Sequence, residues 1–200
     1  MIKNILFDCS DTLLRFHAKE DLATQLQNAE RAERIHNAYF QNEAWNGYDN
    51  GELTVEELKA VALSLLDEAD RPIANRYLDT FTDHYTPIEG MAELLQELKK
   101  KGYPLYLVSD FPPCFQTLWE RYDFFKLFDG RAVSYEAKGS KKNLRLFKYL
   151  LETHKLDPAE CLFIDDLDYL VANAEACGIN GHRFVGAAEL RFYLKEQSIL

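Results

Sequence analysis

Residues 5–13 read ILFDCSDTL, and this segment determines the class of fold that the chain is expected to adopt. A short apolar run ends at the carboxylate of Asp8, and a polar turn follows at once. An unbroken apolar run of this length is typical of a strand that is buried on both faces of a parallel sheet. A carboxylate at the end of such a strand can act as a covalent nucleophile. Taken alone, the segment also fits an aspartate that only caps a turn.

Four more apolar runs of strand length follow, and helical patterns separate them. They lie at residues 105–108, 132–133, 162–164 and 184–185. Strands that alternate with helices predict an α/β fold, with a parallel, Rossmann-like sheet covered by helices on both faces. An amphipathic helix is predicted over residues 91–101, where Gly102 ends it.

Residues 18–85 interrupt this alternation, because they are rich in Ala, Leu, Glu and Gln and lack a strand signal. We therefore expect a helical cap domain over residues 17–85, inserted into an α/β core domain of residues 1–16 and 86–200. The aromatic residues that follow the first helical pattern are expected to form the core of this cap: Tyr39, Phe40, Trp45 and Tyr48.

Two local signals mark the middle of the expected cap. Residues 46–52 (NGYDNGE) predict a turn. Thr54, followed three residues later by Glu57, predicts a capping box at the start of the next helix.

The composition is that of a folded, acidic protein. Of the 200 residues, 47% are hydrophobic and 28% are charged, which suffices for one core with a modest insertion. Acidic residues outnumber basic ones by 33 to 23, and the net charge of −10 argues against binding to nucleic acid or to an anionic membrane surface. No apolar run approaches the roughly 20 residues that span a bilayer, and the first residues lack the pattern of a secretory signal. A cytoplasmic location is therefore expected, whereas the oligomeric state is left open.

Cysteine and histidine offer no obvious site in the sequence. The four cysteines lie far apart, and the five histidines are scattered without the spacing of metal ligands. Neither a zinc cluster nor a disulfide framework is expected.

Two further segments carry polar side chains at the ends of predicted strands. The strand at residues 105–108 leads into Ser109 and Asp110, and the Ser109 hydroxyl can donate a hydrogen bond to a phosphoryl oxygen. The strand at residues 162–164 runs into Asp165 and Asp166. Adjacent like charges cost energy unless a cation or hydrogen-bond donors compensate them, and carboxylate oxygens suit Mg²⁺. Parallel strands bring their carboxyl ends to one edge, so we expect these groups to converge. A structural serine and a helix-capping aspartate are the simpler alternatives.

A basic loop at residues 134–143 (SYEAKGSKKN) precedes a helix that is predicted to begin near Asn143. It contains Lys138, Lys141 and Lys142, and one of these ammonium groups could neutralise a nucleophile and a transferring phosphoryl group. The loop alone does not distinguish among the three, and it also fits a solvated surface segment.

The order of these groups, an aspartate, a serine, a lysine and an acidic pair, resembles the motifs of the haloacid dehalogenase superfamily over essentially the whole chain. The resemblance implies a phosphohydrolase in which Asp8 is the catalytic nucleophile. Ser109 and Lys141 would act in catalysis by binding the phosphoryl oxygens, and Asp110 would help to bind the substrate. Lys141 is the lysine that an ungapped comparison of the basic loop with the family segment Ser-x-Glu-x-Gly-x-x-Lys-Pro-Asp selects.

The resemblance also implies a cofactor and a class of substrate. Mg²⁺ would be held by Asp8, the backbone carbonyl of Ser10 and Asp166, with help from Asp165. The substrate would be a small phosphorylated metabolite, because residues 50–54 (NGELT) are similar to a cap segment in the branch that includes sugar phosphate phosphatases.

Ser10 is the important departure from the family pattern. Family phosphatases carry an aspartate there that protonates the leaving group and then activates water. A hydroxyl cannot replace it well, and the loss of such a group costs about 10²–10⁴ in rate. Two alternatives therefore stay open: a binding or regulatory protein that keeps the fold but has lost efficient turnover, and a 2-haloacid dehalogenase, which uses the same nucleophile without a metal ion.

Overall fold

The computed structural model describes all residues, 1–200, and contains a five-stranded parallel sheet and a two-stranded antiparallel ribbon. In chain order the strands are β1 (Asn4–Phe7), β2 (Leu14–Phe16), β3 (Tyr85–Pro87), β4 (Leu105–Ser109), β5 (Gly130–Val133), β6 (Cys161–Asp165) and β7 (Asn180–Arg183). The sheet has the order β5-β4-β1-β6-β7, and the ribbon pairs β2 with β3. The predicted α/β fold is confirmed.

Eleven α-helices accompany these strands. They are α1 (Ala18–Leu26), α2 (Ala29–Phe40), α3 (Glu43–Asp49), α4 (Val55–Ser64), α5 (Arg71–Asp79), α6 (Met91–Lys100), α7 (Phe115–Arg121), α8 (Ser134–Ala137), α9 (Arg145–His154), α10 (Asp168–Ala176) and α11 (Ala187–Glu196). None of them combines the length and the apolar character that a bilayer-spanning helix requires.

The central strand β1 explains why the apolar run at the N-terminus decides the fold. It is parallel to β4 on one side and to β6 on the other, and all four of its residues are buried. Side chains alternate across a strand, so Ile5 and Phe7 enter one hydrophobic cluster and Leu6 enters another. After β1, strands β4 and β5 extend the sheet on one side, and β6 and β7 extend it on the other. This change of side leaves a crevice at the carboxyl ends of β4, β1 and β6, where such sheets bind ligands.

Helices α1–α5 lie between the two strands of the ribbon, in residues 17–84, which we call the helical insertion. The ribbon joins the insertion to the rest of the chain, and its register places Arg15 opposite Thr86. Within the insertion, Asp70 before α5 has a side chain only 3% exposed and pairs with Arg31 and Arg34 of α2. A buried carboxylate with two guanidinium partners is fully compensated, so it fixes α5 against α2.

Two local predictions within the helical regions are confirmed. The capping box is complete, because Thr54 accepts the N–H of Glu57 while the Glu57 side chain accepts the N–H of Thr54. The helix predicted over residues 91–101 is α6, and Gly102 follows it with a φ of +91°. A positive φ is adopted at little cost only by glycine, which explains where the helix stops.

The last predicted strand was misplaced. The structure places β7 at Asn180–Arg183, whereas residues 184–185 lie beyond it. Because β7 is an edge strand that pairs only with β6, it is partly solvated and carries polar side chains. A search for apolar runs therefore selects Phe184, which is buried after the strand, and Val185, which is exposed.

Two further boundaries differ from the predictions. The turn predicted at residues 46–52 is shorter, because α3 continues to Asp49 and includes Gly47. The Asn42 side chain accepts hydrogen bonds from the N–H groups of Ala44 and Trp45 and so caps the start of this helix. The helix therefore forms although Gly47 favours a turn. The helix predicted near Asn143 begins at Arg145.

The two aromatic residues Phe147 and Phe192 give a test of the core. Phe147 in α9 is fully buried and packs edge-on against Phe163 of β6, with ring centroids 5.0 Å apart. Phe147→Ala should lower the free energy of unfolding by about 3–5 kcal/mol, because it removes a buried ring and leaves a cavity. Phe192 in α11 is 65% exposed, so Phe192→Ala should change it by no more than about 0.5 kcal/mol. Urea unfolding measures both, and equal losses would contradict the packing.

Candidate active site

The side chain of Lys141 is buried between two carboxylates at the carboxyl ends of β1 and β6. Its Nζ atom donates hydrogen bonds to Oδ1 of Asp8 (2.6 Å) and to Oδ2 of Asp165 (2.7 Å), and 3% of the side chain is exposed. Burial alone would lower the pKa of Lys141, but Asp8 and then Asp165 raise it above its ordinary value. The amine is therefore held as an ammonium ion next to Asp8.

Neighbouring strands fix the positions of the two carboxylates. Asp8 directly follows β1, and its backbone N–H donates to the carbonyl oxygen of Ile164 in β6 at 2.9 Å. Asp165 is the last residue of β6, and its Oδ1 accepts the N–H of Leu167 at 2.9 Å. Burial raises the pKa of Asp8 above its ordinary value, while the ammonium of Lys141 opposes the rise. Continued sheet pairing thus places Asp8 beside Asp165.

The loop that carries Lys141 is held by polar side chains. Oδ1 of Asp110 accepts the backbone N–H of Lys141 at 2.9 Å, directly after β4. Oδ1 of Asn143 accepts the N–H groups of Ser140 and Arg145, each at 3.1 Å, which explains why α9 starts after this residue. In this structure Asp110, which the sequence predicts to bind substrate, holds the lysine loop and also lines the adjacent cavity.

Asp166 brings a third carboxylate to the site. One oxygen from each of Asp8, Asp165 and Asp166 lies within 4.8 Å of the others. Burial, and secondly the charge of Asp165, raises the pKa of Asp166 to about 6. One ammonium ion facing three carboxylates leaves negative charge that a divalent cation would balance, and Mg²⁺ prefers such oxygen ligands. The residues present therefore fit the predicted metal ion.

The serine side chains of the site lie in different surroundings. The Oγ of Ser109 is buried and has no hydrogen-bond partner. An unpaired buried hydroxyl costs about 1–3 kcal/mol, which a bound phosphoryl oxygen could remove. The Oγ of Ser10 instead lies 3.3 Å from the hydroxyl of Tyr85, so this side chain already has a partner. Thr12 has a buried, unpaired Oγ1 that the sequence analysis did not single out, although it belongs to the same opening motif.

A cavity of about 340 Å³ opens beside Asp8 and Asp166, between the sheet and the helical insertion. Its apolar wall is built from both parts of the chain, by Phe40, Trp45, Leu167, Tyr169 and Leu170. The volume lies within the range of small-molecule sites, at the low end of roughly 300–1,000 Å³. A small molecule with both a charged and an apolar part would match this lining.

The four aromatic residues predicted to form the core of the insertion divide into two pairs. Tyr39 and Tyr48 are buried, at 0% and 7% exposure, as predicted. Phe40 and Trp45 are half-buried and line the cavity, and their tilted rings have centroids 4.2 Å apart. Both rings also pack against the buried core, so the prediction describes only one face of Phe40 and Trp45. Helical periodicity does not reveal that the other face lines a cavity.

The two other lysines of the basic loop contact the helical insertion instead of the carboxylates. Nζ of Lys138 donates to the carbonyl oxygen of Gly51 at 2.6 Å, and Nζ of Lys142 lies 3.3 Å from Oδ1 of Asn46. Gly51 has a φ of +63°, and a side chain there would come within 2.6 Å of the Lys138 ammonium. Glycine is thus favoured where the insertion approaches the loop.

Two of the histidines form a cluster with Asp21 that their spacing in the sequence did not predict. Nδ1 of His17 and Nδ1 of His84 lie 2.7 and 2.6 Å from the same atom, Oδ2 of Asp21. His17 follows β2 and His84 precedes β3, so the cluster links the two chain segments that enter and leave the insertion. Sequence spacing misses the cluster because only the ribbon brings its members together.

Comparisons with known proteins agree with this architecture. The chain is 26% identical over 180 residues to the sesquiterpene phosphatase astK of Aspergillus oryzae, covering 90% of this chain and 88% of that protein. A variant of a HAD family enzyme from Bacteroides thetaiotaomicron, crystallised with magnesium and inorganic phosphate, is 19% identical with a TM-score of 0.70, covering 91% of this chain and 93% of that one.

L-2-haloacid dehalogenase from Xanthobacter autotrophicus has the same fold, with 21% identity and a TM-score of 0.67 over 92% of this chain and 77% of that one. Identities at this level show the fold alone. The family model of haloacid dehalogenase-like hydrolases matches residues 2–169. The chain therefore belongs to the haloacid dehalogenase-like hydrolase family, as its motifs predict.

Proposed function

We propose that the protein is a magnesium-dependent phosphatase that hydrolyses a small phosphate monoester through an aspartyl-phosphate on Asp8. The observation that carries the proposal is the buried ammonium of Lys141 between Asp8 and Asp165, beside a cavity that Asp166 also lines. An ammonium ion in this position would hold Asp8 as an oriented carboxylate and attract the dianionic phosphate.

Each side chain of the site has a role in this proposal. A carboxylate oxygen of Asp8 attacks phosphorus, and the bond from phosphorus to the ester oxygen breaks. Lys141 and the unpaired hydroxyl of Ser109 bind the phosphoryl oxygens. Asp8, the backbone carbonyl of Ser10 and Asp166, with Asp165 beside them, are the groups that would hold Mg²⁺, which supplies positive charge to the transferring phosphoryl group. Water then attacks the aspartyl-phosphate and releases inorganic phosphate.

The helical insertion would serve as a cap, in line with the division into a core of residues 1–16 and 86–200 and a cap of residues 17–85. It forms one wall of the cavity through Phe40 and Trp45, and hydrogen bonds from Lys138 and Ser134 tie it to the core. A cap that closes over the site excludes water and selects the substrate.

A non-catalytic binding role is the second candidate function, because the hydroxyl of Ser10 cannot act as an acid near neutral pH. A haloacid dehalogenase is the weaker alternative. Three clustered carboxylates favour a bound cation, which dehalogenase chemistry does not need.

Asp8→Asn tests the proposal directly. With Mg²⁺ and 4-nitrophenyl phosphate, we expect turnover to fall by roughly 10⁴-fold or more, because the amide cannot serve as the nucleophile. Acid-quenched samples should contain phosphate bound to the unmodified protein and none bound to the variant. Asp168→Asn is the matched control, since this carboxylate is 72% exposed and pairs with Arg183. If the Asp8 variant turned over substrate as fast as the unmodified protein, Asp8 would not be the nucleophile. If the unmodified protein showed no turnover, the non-catalytic binding role would be favoured.

The apolar wall of the cavity leads us to propose a hydrocarbon leaving group in preference to a sugar, which the sequence had suggested. The relative from Aspergillus oryzae, which is named a sesquiterpene phosphatase, supports this choice. Farnesyl phosphate should therefore have a higher kcat/KM than glucose 6-phosphate. Trp45→Ala should lower kcat/KM for farnesyl phosphate by about 10–200-fold, the range for lost apolar contacts, and affect glucose 6-phosphate much less. A preference for the sugar ester would contradict the assignment.

A further inference from the structure

The proposed reaction needs a proton donor that the opening motif does not supply. The leaving oxygen of an alkyl phosphate is strongly basic, and family phosphatases protonate it with the residue that is Ser10 here. Asp11, the next carboxylate, is already engaged: its Oδ1 accepts the N–H of Phe16 at 3.4 Å and lies 3.5 Å from Nε of Arg15. Its side chain is 38% exposed, next to the ribbon. Asp11 also lines the cavity, but these contacts engage its Oδ1 at the ribbon, so we consider another carboxyl group of the cavity wall.

Asp49 is a carboxyl group in the wall of the same cavity as Asp8 and Ser10. It is the last residue of α3, in the helical insertion. Its Oδ1 atom is closed off from water and has no hydrogen-bond partner. Leaving a buried polar atom unpaired costs about 1–3 kcal/mol, a cost that a hydrogen bond to a bound ligand would offset.

Hydrogen bonds from the core hold the backbone at and near Asp49 in place. The hydroxyl of Ser134, at the start of α8, donates to the backbone carbonyl of Asp49 at 2.6 Å. Two residues later, the carbonyl of Gly51 accepts a hydrogen bond from Lys138 at 2.6 Å. These contacts fix the end of α3 relative to the core, which a group that transfers protons requires.

The surroundings of Asp49 favour its protonated form. Burial raises its pKa well above the ordinary value, and the neighbouring carboxylate of Asp110 raises it further. Lys142 and, less strongly, Lys141 oppose this rise, as does a contact with the indole of Trp45. The other titratable groups near Asp49 are the phenols of Tyr48 and Tyr85 and the thiol of Cys114, whose own pKa values burial also raises. A raised pKa brings a carboxyl group closer to the range in which it can donate a proton near neutral pH.

We propose that Asp49 is the general acid and base of the reaction and replaces, from the helical insertion, the carboxyl group that position 10 lacks. The inference rests on the proposed function. As Asp8 bonds to phosphorus and the ester bond breaks, the leaving oxygen takes the proton of Asp49 and departs as the alcohol. The Asp49 carboxylate then takes a proton from the water that attacks the aspartyl-phosphate. Asp8 is released, and Asp49 is again protonated, so the cycle balances.

The test compares two esters that differ in their need for an acid. Butyl phosphate releases a strongly basic alkoxide, whereas 4-nitrophenyl phosphate releases a weakly basic phenolate that leaves without a proton. Asp49→Asn should lower kcat/KM for butyl phosphate by about 10²–10⁴-fold and kcat/KM for 4-nitrophenyl phosphate by less than about tenfold. With the nitrophenyl ester, the variant should also accumulate the phosphorylated form, because the second step has lost its base.

Two further variants separate chemistry from folding. Glu43→Gln makes the same carboxyl-to-amide change at the exposed start of α3 and should leave both rates unchanged. Ser10→Asp in the Asp49→Asn background restores a carboxyl group at the family position and should recover most of the butyl phosphate activity. A variant that was merely misfolded would not be rescued in this way.

Every other outcome overturns the assignment. Equal losses on the two esters, no loss on either, or a double variant without recovery would remove Asp49 from the chemistry while leaving the phosphatase intact. An unmodified protein that hydrolyses only the nitrophenyl ester would also show that no acid operates. If it hydrolyses neither ester, both the acid and the proposed function fail.

Discussion

The contact of the buried Lys141 ammonium with Asp8 and Asp165 is the interaction on which the rest of the site depends. Removing one partner of a buried ion pair costs about 3–5 kcal/mol, so the fold holds these groups together strongly. Sheet pairing positions both carboxylates, and Asp110 positions the lysine loop. The carboxylates still outnumber the ammonium, because Asp166 lies close by. The site is therefore rigid and short of positive charge, which suits a cation and a phosphoryl group.

The helical insertion completes the site from the other side of the cavity. It contributes an apolar wall through Phe40 and Trp45 and an unpaired carboxyl oxygen through Asp49. Hydrogen bonds from Ser134 and Lys138 hold this wall against the core. In our account the core activates the phosphate while the insertion receives the leaving group and protonates it. Because the insertion would supply the acid, position 10 could be a serine without loss of the reaction.

The sequence predicted those features that are encoded locally. The buried strand before Asp8 and the acidic pair at the end of β6 were predicted directly, because an apolar run that ends in a carboxylate is a local signal. The edge strand β7 was misplaced since it carries polar residues. The sequence did not predict that Trp45 lines the cavity, that an oxygen of Asp49 has no hydrogen-bond partner, or that two histidines contact Asp21. Each of these features depends on how the insertion folds against the rest of the chain.

The most direct measurement of the central claim is a crystal structure of the protein with Mg²⁺ and beryllium fluoride, a mimic of the phosphoryl group. Our account predicts one cation shared by the carboxylates of Asp8 and Asp166, and a beryllium fluoride group bonded to Asp8. Lys141 should contact both Asp8 and the fluorides. A structure in which Asp8 and Asp166 bind no common cation, or in which the mimic lies away from Asp8, would contradict the account.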